Sequence, residues 1–167
     1  MLTIQTIVTR ILIAVAMGAL IGLERELVGK EAGIRTDILV VSGSTIFTMI
    51  GLMLPYIGAY SSTNIEHLMK IIETSRGFSV IASIVTGVGF LGAGVILKKD
   101  HHVSGVTTAA SIWFAAAVGI LVGVGLIKTA VIAAAGITLI LFILRKIDLF
   151  NLLDKKKRRE KFQEDEV

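Results

Sequence analysis

Long apolar stretches separated by short polar segments organise this chain. They cover about Ile4–Leu23, Ile38–Tyr56, Ser79–Leu97, Val106–Ile127 and Thr129–Leu144. Each approaches the roughly 20 residues that a bilayer core asks of a helix. The pattern predicts an all-α integral membrane protein: a bundle of five transmembrane helices over residues 1–146 and a basic tail over 147–167. The first stretch carries a single charge, Arg10, and runs into Glu24-Arg25-Glu26 and further apolar spans. With no small-residue cleavage site followed by a polar mature sequence, it reads as a span rather than a secretory signal. Lys128 is expected to mark a tight turn between the fourth and fifth spans.

Basic residues flanking the spans give the orientation, because Lys and Arg in short loops are retained on the cytoplasmic side. With the C-terminus inside and five spans, the N-terminus lies outside. Thirteen basic residues then fall inside, among them Arg25, Lys30, Arg35, Lys98 and Lys99, against Lys70, Arg76 and Lys128 outside. In the outer segment, Ile65, Leu68, Met69 and Ile72 recur at helical spacing, and Thr63 with Glu66 fits a capping box. This predicts a short amphipathic helix, either lying on the outer membrane surface or covering the end of the bundle.

Composition agrees with a membrane-embedded class. The chain is 54% apolar with 17 glycines, one proline and no cysteine, so its apolar mass is aliphatic and small, as in closely packed membrane helices. The absence of cysteine excludes disulfides, thiolate nucleophiles and cysteine metal sites. A formal charge of +4 raises the question of nucleic acid, but the basic residues concentrate between Arg145 and Lys161. That run reads as an anchor to anionic lipid. No enzyme active site is recognisable, and no cofactor is expected.

Small residues four apart form grooves that admit a second helix: Ala14, Gly18 and Gly22 in the first span, and Gly119 and Gly123 in the fourth. Gly87, Gly89, Gly92 and Gly94 imitate a dinucleotide loop. They sit mid-span without a preceding strand or a later acid, so helix packing is expected of them too. Arg10 lies on roughly the Ala14 face and either points inward to a partner or snorkels outward.

Polar chemistry gathers in two inner loops. The first runs from Glu24-Arg25-Glu26 through Lys30 to Arg35-Thr36-Asp37, the second from Lys98 to Ser104 with His101 and His102. Both are candidate docking surfaces, and Glu24 with Arg35 is a candidate structural pair between the first two helices. Adjacent histidines diverge and have only Asp100 beside them, so no metal site is expected there. Asp37 stands at a span boundary, and no Glu lies within a span. A cation pathway needs oxygen ligands, and their scarcity argues against a magnesium transporter.

Four blocks then carry a resemblance: Gly18–Glu26, Ala32–Thr36, Val85–Ile96 and Gly105–Trp113. In this order and spacing, over roughly residues 8–130, they closely resemble the MgtC/SapB family. The resemblance implies a five-span bacterial inner-membrane protein of the short SapB-like form. It also implies a non-enzymatic regulator linked to low magnesium, acid stress and virulence, which binds membrane subunits of F-type ATP synthase. The alternative is a small homo-oligomeric ion channel or magnesium transporter. On this likeness the interaction candidates are Glu24, Arg25, Arg35, Thr36, Thr107 and Thr108, with Asp37 by position. Asp37, Ser79, Ser83 and Ser104 depart from the family's pattern.

Overall fold

The computed structural model describes residues 2–59, 65–99 and 102–164, with side chains over 2–54, 79–98 and 103–147. Five helices and one hairpin make up the chain: α1 (Ile4–Leu27), α2 (Ile34–Ala59), α3 (Ile65–Val95), β1 (Leu97–Lys99), β2 (His102–Ser104), α4 (Val106–Val124) and α5 (Ile127–Glu164). The protein is an all-α, multi-pass membrane protein. Four helical segments are long and apolar enough to cross a bilayer: Ile4–Leu27, Ile34–Leu54, Val106–Val124 and Ile127–Ile147. The apolar part of α3, Ser79–Val95, reaches about 25 Å at 1.5 Å per residue.

Several boundaries differ from the sequence expectation. Residues 65–78 are not a separate amphipathic helix, because α3 runs unbroken from Ile65 to Val95. Thr63 of the expected capping box lies outside the described residues. The third span ends at Val95 rather than Leu97. Leu97 instead pairs with Ser104, Lys98 with Val103 and Lys99 with His102 in an antiparallel hairpin. Asp100 and His101 lie outside the described residues.

The break between the last two spans falls at Gly125 and Leu126, and Lys128 belongs to the first turn of α5. At φ 102°, Gly125 holds a left-handed conformation that costs a glycine nothing. Its N–H bonds Val122 O at 3.0 Å, and the Leu126 N–H bonds Leu121 O at 2.9 Å. These two bonds satisfy the free carbonyls at the end of α4. At the other end of α4, Gly105 has φ 82°, and a side chain there would run into the Val95 carbonyl oxygen. α5 continues through the basic segment to Glu164.

α2 is the central helix, gripped on two sides by glycines. A Cβ on Gly18 would stand 2.6 Å from Ile38 Cα, and one on Gly22 would stand 2.5 Å from Ile34 Cα. From the other side, a Cβ on Gly119 would strike Val41 O, and one on Gly123 would lie 2.6 Å from Thr48 Cβ. Backbone thus packs on backbone, which gathers many short dispersion contacts where lipid gives no hydrophobic drive between helices. The core between α1, α2, α4 and α5 is filled by Ala14, Ile21, Val41, Ala115, Val118, Val122, Ala130 and Ala134. A second cluster, Ala32, Ile84, Val88, Ile112 and Ala116, seats α3.

Arg10 takes the inward course. Its Nη1 donates to Gly123 O at 2.7 Å, placing a cation at the C-terminus of α4, where the helix dipole favours it.

Candidate interaction sites

Two features of the bundle can meet a ligand or partner: a buried polar cluster at the α1–α2 loop end, and an open groove between α2 and α3.

The cluster follows from the glycine crossing. Gly18 and Gly22 let the start of α2 press onto α1, and Gly18 meets the Asp37 backbone itself. Asp37, in the first turn of α2, is thereby driven to 0% exposure. Arg25, at the end of α1, is 3% exposed and lies close enough for its charge to act on Asp37. Its Nη1 is 3.7 Å from Glu24 Oε2. Neither Asp37 oxygen has a hydrogen-bond partner, nor do Arg25 Nε and Nη2 or Glu24 Oε2.

Around this centre the loop is tied down. Glu26 Oε2 accepts the Ile34 N–H at 3.0 Å and so caps α2 from a distance. The Thr108 hydroxyl, at 0% exposure, donates to Glu31 Oε2 at 2.5 Å. That bond sets the Glu31 carboxylate at the N-terminus of α4, the favourable end of the helix dipole. The Thr108 hydroxyl, then a backbone hydrogen bond, holds Glu31 below the usual carboxylate range against some desolvation, with Lys30 and Arg25 adding to the effect. Ser111 Oγ donates to Thr108 O at 2.8 Å.

The sequence candidates therefore separate. Glu24 pairs with Arg25, whose charge also acts on Asp37, and Thr108 is buried against Glu31, whereas Arg35 and Thr107 are exposed and Thr36 is half-buried. Glu24 faces Arg25, and among the described residues Arg35 makes no ion pair, so the expected Glu24–Arg35 pair is not formed. Arg35 is exposed, while Arg25 is the buried cation. Glu31 was not singled out from sequence, because nothing in its spacing announces contact with a threonine 77 positions away.

The groove is apolar and opens laterally. It has a volume of about 670 Å³ and is lined mainly by Val40, Gly43 and Phe47 of α2 and by Ser83, Gly87 and Leu91 of α3. Nothing lies within 4 Å of where a Cβ would stand on Gly43, Gly87, Gly89 or Gly94. The packing contact expected at Gly87, Gly89 and Gly94 is thus not made within the chain, and Gly87 opens onto the groove instead. Gly92 alone of the four meets a neighbour, since a Cβ there would stand 3.4 Å from Ala109 Cβ. Beside them, Phe90 is 81% exposed.

Comparison with known proteins bears on both features. The model of the MgtC family matches residues 11–150. The chain belongs to the MgtC family. It is 36% identical over 154 residues to a protein of Escherichia coli K12 named "Putative magnesium transporter YhiD", covering 92% of this chain and 66% of that one. It is 38% identical over 134 residues to protein MgtC of Brucella abortus strain 2308, covering 80% and 49% respectively. Protein SrpB of Synechococcus elongatus is 38% identical over 125 residues, covering 70% of this chain and 63% of that one. The chain therefore spans from about half to about two thirds of these relatives' lengths. No solved structure matches it.

Proposed function

We propose that this chain is a non-enzymatic regulator in the bacterial inner membrane, with its N-terminus outside and its C-terminus cytoplasmic. It acts by holding another membrane protein against its α2–α3 face. The partner suggested by the family resemblance is the membrane sector of F-type ATP synthase, and the setting is adaptation to low magnesium or acid stress and virulence. The observation that carries this reading is the open groove with its outward glycines. Gly43 and Gly87 line the groove with open space where a Cβ would stand, the kind of small-residue surface that another membrane helix uses to approach closely. Exposed Arg35 and Thr107 supply polar contacts at the loop end of the same bundle.

The second reading is a homo-oligomeric channel or a magnesium transporter. The printed name of the Escherichia coli relative favours it, as does an acidic residue buried within a span. Against it, the α1–α2 and α2–α4 crossings are closed by backbone contact. Among the described residues, no three His, Cys, Asp or Glu side chains gather to hold a metal.

Purification of the tagged protein from its own membranes in mild detergent, after growth at low magnesium, tests the proposal by mass spectrometry. Co-purifying ATP synthase membrane subunits, lost on Gly87→Leu, are the expected result. A homo-oligomer free of those subunits would overturn it and direct attention to ion flux in liposomes.

A further inference from the structure

Arg10 is half-buried and spends little of its bonding capacity. A guanidinium carries a unit charge and five N–H donors. Among the described residues Arg10 makes one hydrogen bond, from Nη1 to Gly123 O at 2.7 Å, and no acidic side chain pairs with it. A carbonyl dipole does not cancel a unit charge. Its Nε and Nη2 are left without a partner, yet neither is sealed off as the unpartnered nitrogens of Arg25 are. They are accessible where Arg10 borders a pocket of about 340 Å³ at the start of α1. Thr3, Gln5 and Thr6 line that pocket from α1, and Gly125 and Ile127 line it from the α4–α5 turn. Gly125 makes room for the guanidinium, since a Cβ there would stand 2.6 Å from Nη2.

The rest of the lining suits an anion as well. The Thr3 and Thr6 hydroxyls meet at 2.8 Å, and closing that pair takes one hydrogen and leaves the other to donate elsewhere. The pocket borders the first turns of both α1 and α5, and the leading N–H groups of a helix favour negative charge. No Asp or Glu lines it. We propose that this pocket binds one phosphate group, carried by a phospholipid headgroup or by a free phosphate ion. The planar fork of a guanidinium matches two phosphate oxygens at once, and Nε and Nη2 are the pair of donors Arg10 has to spare. Position favours phosphate over carboxylate, because the pocket lies where the apolar stretches of α1 and α5 begin, the level at which a bilayer carries its headgroups. Ile13 continues the lining one turn deeper, where a lipid offers apolar chain. The site is independent of the docking reading, since α2 and α3 take no part in it.

Protein delipidated in dodecyl maltoside, a detergent without phosphate, tests the site through its thermal midpoint, followed by circular dichroism. One arm adds phosphatidylglycerol to the micelles, with diacylglycerol of the same chains as its control. The other replaces potassium chloride with potassium phosphate at constant ionic strength and pH. The wild type is expected to gain at least about 3 °C in one arm, the first identifying a lipid headgroup and the second a free phosphate ion. Arg10→Gln is expected to lose that gain. Arg10→Lys keeps a cation for Gly123 O, and so the fold, but not the fork; it is expected to retain less than half of the gain. Should Arg10→Gln not fold, Arg10→Lys decides alone. The proposal is overturned if the wild type gains in neither arm, or if a folded variant keeps the full gain. It is also overturned if diacylglycerol stabilises the wild type as much as phosphatidylglycerol does and phosphate does nothing.

Discussion

Two sets of glycines in this molecule both lie within apolar helices and serve opposite ends. Gly18, Gly22, Gly119 and Gly123 are covered by α2, with no room for a single methyl group. Gly87, Gly89 and Gly94 look out from α3 into open space. The first set builds the bundle and the second leaves a face vacant. Small residues in a membrane helix thus report that a close approach is allowed, and the neighbouring helix decides whether it is made.

Substitution is the direct way to break this comparison. Gly22→Val drives two methyl groups toward the Ile34 backbone, which cannot give way as a flexible side chain would. It should cost about 3 kcal/mol, read by reversible unfolding in mixed micelles. A smaller, pH-dependent effect is expected at the loop end. Glu31 is held below the usual carboxylate range, so it contributes stability at neutral pH. That contribution is lost as pH falls through the ordinary carboxylate range toward the lowered folded value. Thr108→Val removes the first cause of the shift, so the difference in thermal midpoint between the wild type and this variant should be larger at neutral than at acid pH. The smallest effect belongs to Gly87→Ala, which adds a methyl group to empty space and favours the helix. It should leave stability unchanged or raise it by up to about 1 kcal/mol. A loss as large as that of Gly22→Val would erase the distinction between the two faces.

Sequence reading reached the spans, and the family through its ordered motifs, because long apolar runs and fixed-spacing blocks survive without tertiary information. It also placed Gly18, Gly22, Gly119 and Gly123 on packing faces. It did not show that Gly87, Gly89 and Gly94 lack a neighbour within the chain, because a helix in lipid is apolar all round and periodicity does not separate a protein-facing side from a lipid-facing one. Asp37 read as a boundary residue for a related reason. Its burial comes from the missing side chains of Gly18 and Gly22 on another helix, not from its own neighbours. The hairpin carried no signal, as Asp100-His101 lacks the glycine that announces a tight two-residue turn. Arg10 left two directions open, and only the position of Gly123 O chose between them.

That same Arg10 bond spans 113 positions of the chain. In a protein inserted from its N-terminus as it is synthesised, α1 enters the membrane carrying a cation whose acceptor has not yet been made. Only when α4 is complete and the chain turns at Gly125 can the guanidinium reach its carbonyl. The first helix therefore waits for the fourth, and their clasp ties an earlier segment to a later one.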